Sequence, residues 1–335
     1  MSQLTAIGPI AAVRPASRAE WKAALEDERS TFFHGPVWSE VWEAYTDGRY
    51  RPDALHVTFT DGRNAVLAIT MERMGLGVRR RWLSPAGTYG GWLSTTPLSD
   101  DQIRALVEMI EAEPGVIWRR SPLDRTRGSS NQVQDLTHII DLRDGADAAL
   151  ARWKGSARRE IVRAKRLGIT AHPGAASDWA GYDQLYRLSL ERWGSEASSR
   201  YESKLFALLQ DADPASVRLW IASKAGQPVA GAIVFIHRSY AIQWHGAWVA
   251  SDAPGATNLL QAEIIRALAE EGITTYDLNP SGGHSGVAMF KASIGAAPAK
   301  APITIIPHPR EEWAIRSERW RQRLGFTRAS PRGEG

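Results

Sequence analysis

Apolar and polar positions follow two periods along this chain, and the switches between them mark its elements. A helical spacing runs through "SRAEWKAALEDE", with Ser17 as its N-cap, and through "PVWSEVWEAY", where Trp38, Val41, Trp42 and Tyr45 share one face. Alternation takes over in "ALHVTFT" and "NAVLAITMERM", and Asp61-Gly62 between them predicts a hairpin. "WLSPAGTYGGWLS" is an extended stretch broken by one proline and three glycines, which predicts a bulge or a functional loop. "SDDQIRALVEMIEAE" reads as an amphipathic helix with acids at its positive end. "GVIWRRSPL" and "LTHIIDL" read as strands on either side of the polar loop "DRTRGSSNQVQ".

A second unit repeats the order. "GADAALARWKGSARREIVRAKRLG" predicts one or two helices ending at Gly168, then a short strand "ITAHPG". Two more helices, "DWAGYDQLYRLSLERWG" and "YESKLFALLQ", lead into three strands joined by tight turns over "VRLWIASKAGQPVAGAIVFIHRSYAIQWHGAWV". A helix capped by Gly272, the strand "ITTYDLNP", a glycine-rich loop, the strand "APITIIP" and a basic helix follow. Both halves run strand, helix, strands, glycine-rich break, helix, strand. The expected class is mixed α/β (α+β), each half a mostly antiparallel sheet flanked by helices. The expected division is 1–144, 145–308, and a C-terminal basic helix and tail over 309–335, with Trp313 and Trp320 to pack it on the first unit.

Length agrees with two units, since 335 residues is room for about two ordinary domains. No apolar run reaches the roughly 20 residues of a membrane span, and no signal peptide is seen, so the cytoplasm is the expected location. A monomer is the expected state. The absence of cysteine removes disulfides and thiolate chemistry, and eight scattered histidines argue against a metal site. No cofactor is implied. The net charge of +4 is uneven: Arg152 to Arg166 holds seven Lys or Arg against one Glu, and "RSERWRQR" near the end is also basic. Such excesses suit phosphates, nucleic acid or a membrane surface, or else are simply solvated helix faces.

The chemistry concentrates in "YDLNPSGGHSGVAMFKASIGA", residues 276–296. A phosphate loop needs its lysine directly after the last glycine, whereas Lys291 lies five residues beyond Gly286. That leaves a mobile wall over a groove, or an ordinary turn. Asp277 and Asn279 share one face at the end of the strand. Asp277 could take the proton of an acceptor ammonium or could cap the loop, and His284 is a further candidate, so the base stays open. Arg159 and Arg163 are four apart and could clamp a diphosphate, while Arg158 and Lys165 lie on other faces. Among the fourteen Trp and other aromatics, Trp38, Trp42, Tyr89, Trp92, Trp244 and Trp248 either line a groove or build core. Tyr89, flanked by glycines, is the foremost groove candidate, and Phe290 is either core or a stacking platform for a base.

The stretches "SARREIVRAKRLGITAHPG", "LYRLSLERWG", "GQPVAGAIVF", "IQWHGAWV", "LLQAEIIRALAEEGITTYDLNPS" and "AMFKASIGA" together resemble the Fem-type branch of the GNAT acyltransferase superfamily. The likeness covers residues 145–305, with "PVWSEVW" and "SPAGTYGGWLS" as looser echoes in the first half. It implies two GNAT-like domains side by side. It also implies transfer of an amino acid from the acceptor end of an aminoacyl-tRNA to an amine, here a peptidoglycan precursor, with peripheral contact with the inner membrane surface. In that family the lysine of the Phe-Lys pair, here Lys291, stands beside the terminal adenosine and steadies the oxyanion. Acetyl-CoA-using relatives carry a Gln/Arg-x-x-Gly-x-Gly/Ala pyrophosphate loop. The corresponding "SDAPGATNLL" keeps Gly255 but has Asp252 at the Gln/Arg position, and an acid there repels a pyrophosphate. An acyl-CoA-dependent N-acyltransferase on a small amine is therefore the second reading. A non-catalytic RNA- or membrane-surface-binding module is the third.

Overall fold

Local signals start the elements where they were expected. Ser17 Oγ accepts a hydrogen bond from the Glu20 amide and the Glu20 carboxylate accepts one from the Ser17 amide, a closed capping box. Ser99 and Gln102 do the same before the third helix. The computed structural model describes residues 8–74, 78–124, 126, 132–194, 200–249 and 253–311. Asp252 and the segment beyond Glu311, with Trp313 and Trp320, lie outside the described residues.

The first half contains β1 (Ile10–Pro15), α1 (Arg18–Ala24), α2 (Pro36–Tyr45), β2 (Tyr50–Pro52), β3 (Leu55–Phe59), β4 (Asn64–Leu67), β5 (Thr70–Arg73) and β6 (Arg79–Trp82). It continues with β7 (Trp92–Leu93), α3 (Asp100–Glu111), β8 (Val116–Arg119), β9 (Gln132–Val133) and β10 (Leu136–Asp141). The second half opens with α4 (Gly145–Ala151), α5 (Gly155–Arg166), β11 (Ile169–Pro173), α6 (Asp178–Trp193) and α7 (Ser203–Gln210). Then come β12 (Val217–Lys224), β13 (Gln227–His237), β14 (Tyr240–Trp248), α8 (Ala256–Glu270), β15 (Thr275–Asp277), α9 (Ser285–Ser293), β16 (Ala297–Lys300) and β17 (Ile303–Ile306).

These strands form three mostly antiparallel sheets flanked by helices. The orders are β1-β3-β4-β7, β2-β5-β6-β8-β17-β9 and β11-β12-β13-β14-β15-β10-β16. The hairpin around Asp61-Gly62 is present, with Leu55 paired to Leu67. Its second arm is not one strand: the chain turns between Leu67 and Thr70, and β5 joins the second sheet against β2 and β6. The first half therefore has two sheets where alternation alone suggested one.

Sheet pairing also departs from chain order. β10 lies before residue 145, yet it pairs with β15 and β16 in the seven-stranded sheet. β17 lies near the end of the expected second unit, yet it pairs with β8 and β9 in the sheet of the first half. On one face of the seven-stranded sheet, Ala241, Tyr276 and Ile140 pack with Leu259, Leu260, Ile264 and Ala157 from α8 and α5. On the other, Tyr240, Ile242 and Phe235 pack with Tyr182 and Phe206 and with Phe32, Phe33, Trp38 and Trp42 from the first half. The contact between the halves is thus a buried aromatic core. Among the described residues no helix is long and apolar enough to cross a membrane.

Candidate active site

Strand β15 is only three residues long and sits between β14 and β10. Its pairing with β14 is parallel and covers Tyr240, Ala241 and Ile242 alone. From Gln243 to Trp248, β14 keeps β13 on one side but has no strand on the other among the described residues. The sheet therefore splays at its centre, and backbone donors and acceptors of β14 face the opening. The register with β13 slips there: Val234 faces Gln243 and Ile233 faces His245, leaving Trp244 as a bulge residue. A knot of buried polar groups closes the base of the splay. Gln261 donates to Gln243 Oε1 (2.6 Å), and the Tyr276 hydroxyl lies 2.8 Å from the same oxygen and 3.1 Å from Gln261 Oε1.

Asp277 ends β15 on the face that the first half covers, and it has no exposed surface. One carboxylate oxygen accepts from Thr137 Oγ1 and from the Asn279 amide (2.7 Å), the other from the Tyr240 hydroxyl (2.7 Å). Burial pushes its pKa up, against these hydrogen bonds, which pull it down. The fully buried Tyr89 stands beside Asp277 and Thr137, and burial followed by the nearby carboxylate raises its pKa well above the ordinary value. Its hydroxyl makes no well-formed hydrogen bond among the described residues. A carboxylate so enclosed cannot reach a substrate ammonium. The expectation of Asp277 as a proton acceptor is corrected to that of a positioning group.

What Asp277 positions is Asn279. The Asn279 backbone is left-handed (φ 61°), a conformation that asparagine tolerates better than most residues. The bond from its amide to Asp277 holds that turn and aims its carbonyl at α9. Lys291 Nζ donates to this carbonyl at 2.6 Å. Lys291 is 6% exposed, and that is the hydrogen bond its ammonium makes among the described residues, so two of its three N–H bonds remain for another acceptor. Burial lowers its pKa to about 8, against the opposing pull of Asp277 and Asp135. Asp135 is held by Arg119 (2.6 Å), which also donates to Gly87 O (2.7 Å) and so ties this corner to the first half.

One residue here went unread in the sequence. His138, on β10, is half-buried, its Nδ1 is enclosed with no partner among the described residues, and burial followed by the nearby Lys291 charge lowers its pKa. A neutral imidazole therefore stands close to the Lys291 ammonium. A lone histidine in "LTHIIDL" carries no signal by itself, and only strand pairing brings it here.

The remaining candidates are dispersed. Phe290 is partly buried against the α5/α8 core, which favours the core reading. Trp38 is completely buried, its indole N–H directed at Thr88 Oγ1 (3.0 Å) and Pro85 O (3.2 Å). Neither Trp38 nor Tyr89 has surface to offer a substrate, so both groove-lining expectations are corrected to core. Trp244 is half-buried beside the splay, its ring edge-on to Trp38 at 5.4 Å. Gly90 explains why "GTYGG" is glycine-rich: a Cβ there would fall 2.0 Å from the Leu83 carbonyl oxygen. Arg158, Arg159 and Arg163 are exposed along α5. Arg158 bonds to Ala151 O (3.2 Å) and Arg163 lies 3.6 Å from Glu160. The start of α5 touches the end of α9 through the bond from Lys154 N to Ser293 O (2.9 Å), so its basic surface begins beside the lysine helix.

Residues 151–291 match the model of a family described as the acetyltransferase (GNAT) domain. Among solved structures the chain is similar to FemX, with 12% identity over 90% of this chain and 99% of that one, and a TM-score of 0.66. It is also similar to L-PGS from Bacillus licheniformis (13% identity, 94% and 99% covered, TM-score 0.55). A third likeness is to the C-terminal domain of a putative lysylphosphatidylglycerol synthetase from Agrobacterium fabrum (13%, 91% and 98%, TM-score 0.53). No curated protein matches the sequence. Residues 151–291 are thus similar to a GNAT acetyltransferase domain. As a whole the chain shares its fold with FemX.

Proposed function

We propose that the protein transfers an aminoacyl group from the acceptor end of a charged tRNA to an amine, with a peptidoglycan precursor as the acceptor. The observation that supports this reading is Lys291: a buried ammonium beside a splayed sheet centre, with two N–H bonds unspent. In the reaction an acceptor amine, after losing a proton, attacks the ester carbonyl carbon. The C–N bond forms, the carbonyl oxygen becomes an oxyanion, and Lys291 donates to it. Collapse breaks the ester C–O bond, the ribose oxygen takes up a proton, and the remaining proton of the former ammonium passes to solvent. A fixed donor at the oxyanion is worth roughly 3 kcal/mol of barrier. The enclosing wall is the Gly282–Gly286 loop leading into α9, and the basic face of α5 supplies phosphate contacts. Such a donor implies a cytoplasmic protein, with the donor end and Lys291 on the second half and the acceptor between the halves.

The test incubates the protein with a mixture of charged tRNAs and cell-wall precursors and reads products by mass. An aminoacylated precursor that disappears with Lys291→Ala is expected; a product formed at undiminished rate by that variant overturns the assignment. The acetyltransferase description of the matched family favours one second reading, an acyl-CoA donor. Micromolar binding of CoA by calorimetry would select it.

A further inference from the structure

A second fully buried charge lies in the first half, outside the group of residues described around Lys291. Arg120 directly follows β8, is 1% exposed, and carries a guanidinium that cannot shed its proton. Its face is covered by the Trp118 ring, 4.0 Å from the centroid. The stack leaves the in-plane N–H groups as its remaining means of contact. None of Nε, Nη1 and Nη2 has a hydrogen-bond partner among the described residues. Two further buried hydroxyls, Ser121 Oγ on the next residue and Thr304 Oγ1 on β17, are likewise unpartnered among the described residues. Thr304 pairs with Trp118 across β8 and β17, so its side chain stands on the face that Trp118 and Arg120 share.

Two carboxylates act on Arg120 at a distance. Burial lowers the arginine's pKa, and Asp124 and then Glu111 oppose this. Asp124 is engaged in its own turn, accepting from the Thr126 amide (2.8 Å) and hydroxyl. Glu111 holds one buried oxygen that bonds to nothing among the described residues. An isolated buried cation is among the costliest arrangements a fold can contain. Three guanidinium nitrogens and two hydroxyls make a donor set that suits an acceptor with several oxygens. We propose that Arg120, Ser121 and Thr304 form a buried site for a small free oxyanion of the phosphate class. Complete burial limits the ligand to a small ion and sets it apart from a phosphate carried on a larger substrate.

Thermal unfolding of the full chain tests this, with inorganic phosphate titrated against chloride at matched ionic strength. The expected result is a saturable rise in the midpoint, equivalent to a folded-to-unfolded ratio about 100-fold higher at a hundred times the dissociation constant. Arg120→Met removes the response and, without phosphate, is at least as stable as the parent, because it deletes an unpaired charge while keeping volume. A parent that shows no phosphate dependence overturns the site. So does a shift with adenosine diphosphate that needs Arg120 when phosphate gives none. If Arg120→Met does not fold, Glu111→Gln decides. A retained or stronger phosphate response supports the site, whereas destabilisation in every buffer with no response makes Glu111 the arginine's partner and ends the proposal.

Discussion

Asp277 and Arg120 are both charged, both without meaningful exposure, and both placed at the end of a strand. They differ in what surrounds them. Asp277 accepts from Thr137, Tyr240 and the Asn279 amide, so its charge is spent inside the fold. Arg120 meets only the face of Trp118 and keeps its N–H groups uncommitted among the described residues. The satisfied charge shapes its neighbours: through Asn279 it fixes where Lys291 rests. The unsatisfied one is arranged to take something else. Burial alone therefore does not distinguish an architectural charge from a receiving one, and the count of partners does.

The strongest way to test the Asp277 side is at the residue it positions. Lys291→Ala should lower turnover about 100- to 1,000-fold while leaving donor binding nearly unchanged, measured by single-turnover kinetics beside a binding titration. Next is the contrast itself. Asp277→Ala strands three donors and should lower stability by about 3 kcal/mol in denaturant titrations, while Arg120→Met in phosphate-free buffer should show no loss. Equal losses would erase the distinction. A pH series gives a smaller effect. With Lys291 near 8 in the fold, turnover that needs its charge should fall about tenfold per pH unit beyond that value. Stability moves the other way. The ordinary lysine value is 10.5, so between about pH 8 and 10.5 the unfolded chain binds more protons and stability rises, a slope that Lys291→Met should flatten. Smallest is the α5 surface: Arg159→Glu with Arg163→Glu should weaken RNA binding several-fold and reduce its salt dependence, with turnover at saturating donor preserved. Unchanged binding would leave α5 a solvated face.

Much of this was legible beforehand, in a graded way. Capping residues and alternation placed most strands and helices, because those signals are local. Lys291 stood out through its Phe-Lys context, and the structure buries it. Helical spacing put Trp38 and Trp42 on one face but could not say what that face meets, which turned out to be Phe235 and Trp244 across the two halves. Tyr89 looked accessible because glycines flank it. One of those glycines, Gly90, instead lets the backbone press against Leu83. Asp277 was ambiguous and His138 went unread for the same reason: the neighbours that define them, Thr137 and Tyr240 for the one and Lys291 for the other, lie more than thirty residues away along the chain. Arg120 gave no sign at all, since an arginine in "WRRSP" reads as surface until burial is known.

The exchange of β10 and β17 between sheets bears on how the chain is made. The sheet of the first half gains its place for β17 early but cannot fill it until residues 303–306 have been synthesised, nearly two hundred residues after β8. Contacts of such separation close slowly. During that interval the edges of β8 and β9 that face each other across the missing strand stay open, and an open edge invites pairing with another nascent chain. Cutting the gene between the halves would make that interval permanent for one fragment. It would also deprive the other of β10, the strand that carries Thr137 and His138 to the lysine.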